Sequence, residues 1–373
     1  MAQNLGIGVI GCGNISAAYM RLAPLFRGIE IRACADLNED AAKARAEEFG
    51  LKALTVDELL NADDVDIVVN LTIPAAHFEV SKKILEAGKH VYSEKPFVLS
   101  VDEGRELAKI AKAKNLRIGS APDTFMGGAH QLTRRLVDTE AVGAVTSGTC
   151  FVQSPGMEMW HPNPDFFFQP GGGPILDLGP YYISNLVQLL GPVKRVAAMS
   201  SMGSQERTIT SEPRHGQKIK VETPTTIHAI LQFHSGAQVT YCASWDVWEH
   251  GHSNMELYGR EGTLHVPDPN FFGGEVRMTK QSGFVNIAEK WDHPFSRSND
   301  RTFANYRSAG LADMGVAIIE NRPHRCSLEF ALHVVDVMTA ILDSGEKGQF
   351  IEMSTTCDRP APLDPEAAKA LLV

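Results

Sequence analysis

Ile7-Gly8-Val9-Ile10-Gly11-Cys12-Gly13-Asn14-Ile15-Ser16 is the stretch whose reading decides the fold. An apolar run short enough for one buried strand feeds two glycines, and a helical pattern follows from Asn14 to Phe26. A dinucleotide-binding first turn requires that order. Gly11 lets the chain turn tightly out of the strand, Gly13 lets backbone N–H groups approach a pyrophosphate, and a small residue at Ser16 lets helix and strand pack closely. The helix start at Asn14 and Ile15 then presents unpaired N–H groups and the positive end of the helix dipole. Gly-x-Gly-x-x-Ser is a weak signal alone, because Ser16 replaces the third glycine.

Glu30 to Asp36 reads as a second strand ending in an acid, slightly later after the glycines than the usual spacing. Asp36 would hydrogen-bond the adenosine ribose; its alternative is to cap the helix Asp40 to Phe49, a task Asn38 can also perform. A carboxylate there repels a 2′-phosphate, and Leu37 and Asn38 offer no cation, so NAD is expected over NADP, with Arg32 or a distant residue left as possible phosphate partners. The β-branched run Val65 to Leu71, a helix from Ala75 to Ala87 closed by Gly88, a strand from His90 to Ser93, a helix from Val101 to Lys114 and a strand from Leu116 to Ser120 follow. Strands alternating with helices predict a doubly wound parallel sheet over residues 1–123. Glu94-Lys95-Pro96 falls just past a strand's carboxyl end, where ligands bind in such sheets; a surface turn with a Glu–Lys pair is the plainer alternative.

Length and charge bound the function. A chain of 373 residues exceeds one average core, so two domains are expected. A formal charge of −10 opposes nucleic acid or an anionic membrane as partner. Met1 to Ile10 has neither a basic leader nor a long apolar core, no segment has the length of a membrane span, and the six cysteines form no Cys-x-x-Cys pair, so a reducing, cytoplasmic setting is expected.

From Thr124 the rhythm changes. A helix over Gly128 to Thr139, strands at Val145 to Val152, Thr226 to Phe233, Ala237 to Ser244, Asn254 to Tyr258 and Gly262 to Val266, and helices at Arg301 to Glu320 and Leu328 to Asp343 predict a second domain, 124–373, with a mainly antiparallel open sheet and helices on one face. In Gly171 to Gln188 the residues Asp177, Tyr181, Ser184, Asn185 and Gln188 fall on one helical stripe, and Asp177 is the only charge between Phe166 and Val193. The stripe is expected to face a closed polar cavity; a buried helix whose Asp177 caps a neighbouring turn is the alternative. An aromatic loop holds Trp160, His161 and Phe166 to Phe168. His250 and His252 lie two residues apart on an extended segment with no third ligand evident, so no metal is expected. His77 and His333 read as ordinary packed or surface histidines, and the tail beyond Cys357 as a short surface extension.

Jointly these motifs, Gly-Val-Ile-Gly-Cys-Gly-Asn-Ile-Ser, Thr72-Ile-Pro74 with His77, Glu94-Lys95-Pro96 and Gly-Gly-Gly-Pro-Ile-Leu-Asp177-Leu-Gly-Pro-Tyr181, resemble over nearly the whole chain the glucose–fructose oxidoreductase, inositol dehydrogenase and MocA-like (Gfo/Idh/MocA) family. The resemblance implies an NAD(P)-dependent oxidoreductase acting on a secondary hydroxyl of a sugar, polyol or related cyclic carbohydrate. It implies cofactor contacts from Thr72, Pro74, His77, Glu94 and Lys95, and a C-terminal sheet used for dimer or tetramer assembly. The family's lysine carries over to Lys95 and its aspartate to Asp177. Many members have histidine at the position of Tyr181, and a tyrosine there is similar to the glucose–fructose oxidoreductase and dihydrodiol or xylose dehydrogenase branches.

Oxidising a hydroxyl moves hydride to the nicotinamide while a base takes the proton. Tyr181 is the first candidate base: a free tyrosine ionises near ~10, and a cation such as Lys95 favours its phenolate. Asp177 would orient the substrate or hold Lys95 protonated. Trp160 and His161 would line a sugar pocket, with His161 as second candidate base. Two alternatives stay open: a redox-cycling member that retains NAD, and a non-catalytic dinucleotide-binding protein, against which Lys95, Asp177 and Tyr181 together argue.

Overall fold

The structure is a computed structural model and describes residues 4–281, 283–289 and 291–373. Its first half is built on six strands: β1 (Leu5–Ile10), β2 (Ile29–Ala35), β3 (Lys52–Ala53), β4 (Ile67–Asn70), β5 (His90–Ser93) and β6 (Ile118–Ser120). They pair in parallel in the order β3-β2-β1-β4-β5-β6, with α1 (Asn14–Leu22), α2 (Glu39–Phe49), α3 (Val56–Leu60), α4 (His77–Glu86) and α5 (Val101–Lys114) in the connections. β4 is buried at every residue, as a central strand covered on both faces must be. The helices start where the local chemistry satisfies orphan N–H groups. Asn38 caps α2, and Thr55 with Glu58 and Ser100 with Glu103 form reciprocal capping boxes on α3 and α5. The cap that Asp36 was a candidate for thus belongs to Asn38.

Each strand end is stitched to its neighbour. Gly11 N–H donates to Ala35 O, Leu71 N–H to Ile10 O, Glu94 N–H to Asn70 O and Ala121 N–H to Ser93 O, at 2.8–2.9 Å. These bonds set the loops beyond β1, β2, β4 and β5 side by side along one edge of the sheet.

Then come α6 (Gly128–Asp138), β7 (Val145–Gln153), α7 (Gly173–Asp177), α8 (Gly179–Leu190), β8 (Val193–Ser201), β9 (Glu206–Thr208), β10 (Lys218–Lys220), β11 (Thr226–Phe233), β12 (Gln238–Ser244), β13 (Met255–Gly259), β14 (Gly262–Val266), β15 (Arg277–Lys280), β16 (Val285–Ile287), α9 (Ala309–Ile319), α10 (Leu328–Lys347), β17 (Ile351–Glu352) and α11 (Pro365–Ala370). Nine strands form one sheet, β16-β15-β14-β13-β7-β12-β11-β8-β17, antiparallel at every pairing except the parallel β7–β12. β11 alternates buried and open positions, leaving His228 and Ile230 on an outer face beside Met199 of β8. β9 and β10 stand apart as a hairpin.

Three expectations differ from the structure. The helix beginning at Gly173 breaks at Leu178, because Pro180 takes a first-turn position where its missing N–H costs nothing, and so starts a second helix. The helix expected from Arg301 starts at Ala309, after a loop in which Arg301 and Ser308 hold positive φ. The tail is more than a short surface extension: Leu363, Ala368 and Leu371 are buried, Arg27 N–H donates to Leu371 O, and Val373 N–H donates to Leu25 O.

Two compact units result. One comprises Met1–Gly128, Asp292–Leu332 and Pro360–Val373; the other comprises Ala129–Trp291 and His333–Arg359. α9 joins the first because it packs on β2 and β6.

Candidate functional site

In the first unit the site starts at the glycines. Gly11 holds φ +103°, and an added Cβ would lie 2.7 Å from the Leu71 carbonyl, so the turn tolerates only glycine. Gly13 differs. Its φ is −71°, open to any residue, and an added Cβ would meet no protein atom within 4 Å. No acid lies in the first turn of α1 and no side chain caps it; Ser16 N–H already donates to Gly13 O at 3.2 Å, which leaves the N–H groups of exposed Asn14 and of Ile15 as the leading donors. Such a cradle fits a pyrophosphate. Ser16 is buried and donates its hydroxyl to Gly13 O at 2.6 Å.

Asp36 closes this loop from the side. Its Oδ2 accepts the Cys12 N–H at 2.7 Å and its Oδ1 the Asn38 N–H at 2.8 Å, which fixes a half-buried carboxylate whose remaining lone pairs suit ribose hydroxyls. Arg32 is spent elsewhere: it donates to Asp64 O and Asn4 O, at the amino ends of β4 and β1. Arg45, on α2, pairs with Glu48 and reaches Gly13 O at 3.4 Å.

Thr72 and Pro74 follow β4. Asn70 organises that turn, accepting both Thr72 N–H and Thr72 Oγ1–H while donating to His77 O and Ser81 Oγ. His77 is buried, with Nδ1 2.7 Å from Pro96 O and Nε2 2.9 Å from Thr72 O. The ring therefore sits between the loop after β4 and the loop after β5, and when neutral its single N–H donates to one of these two carbonyls. Burial lowers its pKa, the two carbonyl contacts and Glu94 opposing.

Glu94 is buried and fully engaged. Oε1 accepts Tyr19 O–H at 3.0 Å and Arg307 Nη1–H at 2.8 Å, and Oε2 accepts the Lys95 N–H at 2.8 Å. Burial alone would raise this carboxyl's pKa; Arg307 and Lys95 outweigh it and leave it below the ordinary value. Burial and the Glu94 charge push the Tyr19 phenol up, so Tyr19 remains a donor. The arrangement clamps the backbone at Lys95, which is itself half-buried. Behind it Asp123 accepts the Gly310 N–H at 3.0 Å, and burial raises its carboxyl to about 6.

In the second unit Asp177 ends α7, half-buried, and Tyr181 lies in the first turn of α8, 5% exposed. The Tyr181 N–H bonds Leu178 O at 3.1 Å, so the break at Leu178 sets how the two side chains relate. The rest of the stripe turns inward: Gln188 Nε2–H donates to Asn185 Oδ1 at 3.0 Å and to His130 O at 3.4 Å. The polar stripe thus divides into a structural half, Asn185 and Gln188, and a half carrying Asp177 and Tyr181. Trp160 is 64% exposed, and His161, partly buried, sits edge-on to Trp160, Phe166 and Phe167 at 5.2–5.5 Å. His252 stacks on Phe151 at 4.0 Å, and His333 accepts the Val193 N–H at 2.9 Å.

The oxidoreductase family described by its NAD-binding Rossmann fold matches residues 5–121, and the Gfo/Idh/MocA C-terminal domain matches residues 130–265. The chain belongs to the Gfo/Idh/MocA oxidoreductase family. Among curated members, dTDP-3,4-didehydro-2,6-dideoxy-alpha-D-glucose 3-reductase of Streptomyces violaceoruber is 29% identical over 266 residues, 70% of this chain and 72% of that one. Levoglucosan dehydrogenase of Pseudarthrobacter phenanthrenivorans is 26% identical over 291 residues, 70% and 73% of the two chains. In three dimensions the apo form of a levoglucosan dehydrogenase superposes with a TM-score of 0.81 at 22% identity, over 95% of this chain and 100% of that one. The likeness in fold thus spans 95% of the chain, beyond the residues that the two family models match.

Within the first unit of this Gfo/Idh/MocA protein, Gly11, Gly13, Asp36, Thr72, Pro74, Glu94 and Lys95 lie on the loops at the carboxyl edge of the parallel sheet, and Asn14, Ile15 and His77 lie at the helix starts that follow them. Sequence reasoning missed Tyr19 and Arg307. Arg307 carried no signal, being 213 positions from Glu94; Tyr19 falls on the apolar face of α1 and reads as core.

Proposed function

We propose that this protein interconverts a secondary hydroxyl and a carbonyl on a sugar, polyol or related cyclic carbohydrate, with NAD as the hydride partner. The open approach over Gly13, beside the fixed Asp36 carboxylate, is the observation that carries the reading. Relatives named as a dTDP-sugar reductase, a levoglucosan dehydrogenase and, at 25% identity over 287 residues, a 1,5-anhydro-D-fructose reductase of Ensifer adhaerens support the substrate class. NAD is favoured over NADP because Asp36 repels a 2′-phosphate, Leu37 is apolar, Arg32 is engaged at the other end of the strands and Arg45 is paired.

Bound, the nicotinamide supplies the hydride acceptor. The chain handles the proton. Tyr181 takes it from the substrate hydroxyl as the C–H hydride leaves, Lys95 stabilises the negative charge that develops on oxygen, and Asp177 orients the hydroxyl. Trp160 and His161 hold the sugar ring, and Thr72, Pro74 and the Glu94–Lys95 turn support the cofactor, with His77 acting through the loops it bridges. The outer sheet face, where Met199 is 79% exposed next to Ile230, is the surface we assign to assembly into a homodimer or homotetramer.

Purified protein is mixed with NAD or NADP and a panel of sugars, polyols and dihydrodiols while reduced nicotinamide absorbance is followed. The expected result is reduction of NAD by a carbohydrate, lost by about 10²–10⁴-fold in Tyr181→Phe and in Lys95→Ala. Undiminished turnover in Tyr181→Phe would remove it as the base, and absence of nucleotide binding would remove the whole reading.

A further inference from the structure

The aromatic loop is part of a separate structural module in the second unit. Met157, Phe167, Phe168, Ile209, Ile219, Val221 and Trp245 form a hydrophobic cluster of their own, joining the loop to the β9–β10 hairpin and to the end of β12. The loop's anchors run to that hairpin. Thr210 and Ser211 N–H donate to Glu158 O at 3.0 and 3.2 Å, Ser211 Oγ–H donates to His161 O at 2.6 Å, and Glu222 N–H donates to Phe168 O at 2.8 Å. Arg207 pairs with Glu158 at 2.7 Å and with Asp246, its guanidinium 5.3 Å from the Phe168 ring, and Arg214 grips both oxygens of Asp165. The turn Asp165–Phe168 in turn packs on α7, the helix that ends in Asp177.

What the loop itself offers outward is aromatic, while the module's exposed charges lie on the hairpin. Trp160 is 64% and Phe166 46% exposed, an apolar display that a buried core would not leave open. The module's four basic residues are each paired with a carboxylate: Arg207 with Glu158 and Asp246, Arg214 with Asp165, Lys218 with Glu206 and Lys220 with Glu222. Glu212 adds a further negative charge. Six carboxylates against four basic groups leave the module net negative, which disfavours a phosphate, whereas the C–H face of a sugar ring complements the negative face of an indole.

We propose that this module determines specificity, and that it binds an uncharged glycosyl unit of the substrate on Trp160, selecting neutral glycosides over sugar phosphates and nucleotide-activated sugars. The assignment rests on the carbohydrate reading above. Neutral methyl glycosides and disaccharides, a hexose phosphate and a nucleoside diphosphate hexose are titrated calorimetrically into wild type, Trp160→Ala and Trp160→Phe, and KM and kcat are measured wherever NAD is reduced. The expected result is preferential binding of a neutral glycoside, weakened about tenfold in Trp160→Ala. The loss falls in KM with kcat within about threefold, NADH affinity is unchanged, and Trp160→Phe recovers most of it. Tighter binding of the phosphorylated or nucleotide-linked sugar, or equal glycoside affinity in wild type and Trp160→Ala, overturns the proposal. Failure of every carbohydrate to reduce NAD strikes the functional reading instead, and the calorimetric comparison still decides this one.

Discussion

At Gly13 a side chain costs the folded protein little, because an added Cβ meets no protein atom and the backbone angles suit any residue. The same atom would occupy the approach to the first N–H groups of α1. Gly13→Ala is therefore expected to change unfolding free energy by no more than about 1 kcal/mol while weakening NAD binding tenfold or more, read by denaturant titration and NADH fluorescence side by side. Asp36 permits the complementary test. In Asp36→Ser the carboxylate no longer repels a 2′-phosphate, so the ratio of NAD to NADP affinity should fall by about an order of magnitude, with the KM values for both nucleotides as the readout. Both residues were legible in the sequence because their chemistry is local: two glycines and an acid at fixed distances along one strand, turn and strand.

Elements that meet through tertiary contact left less trace. Asp123 caps the first turn of α9 by accepting the Gly310 N–H, and burial holds its carboxyl near 6. An unfolded aspartate titrates near ~3.9, so between about pH 4 and 6 the folded chain binds the extra proton. Stability therefore declines as pH rises through that window, by about 3 kcal/mol, and stays lowered above it. Asp123→Asn should raise the melting temperature at pH 7.5 and give no gain at pH 4, measured by calorimetry across that range. Glu94 has the opposite sign. Its depressed pKa gives stability that is present above the unfolded carboxyl's pKa and is lost as pH falls through the folded value. Arg307→Met, which leaves Glu94 buried without its cation, should cost about 3–5 kcal/mol at neutral pH. Neither pair was readable from spacing. The strand and helix alternation before residue 121 was readable, since each element buries a pattern with its own period. The split of α7 from α8 was half-visible: Pro180 stood in the sequence, and only the backbone at Leu178 tells that it opens a helix instead of kinking one.

For the molecule as a whole, the misread tail is instructive. Leu363, Ala368 and Leu371 are too sparse for a periodic signal, yet all three are buried, and His293 Nε2 lies 3.0 Å from Leu363 O. Leu371→Ala should destabilise the first unit by about 3 kcal/mol, visible as an earlier thermal transition. The same segment carries a consequence for biosynthesis. Ribosomes deliver Met1–Gly128 first, but the Rossmann unit also contains Asp292–Leu332 and Pro360–Val373. Its parallel sheet leaves the exit tunnel before α9 and the segment Pro360–Val373 that pack into the same unit, so strands made early must wait for partners made more than 160 residues later.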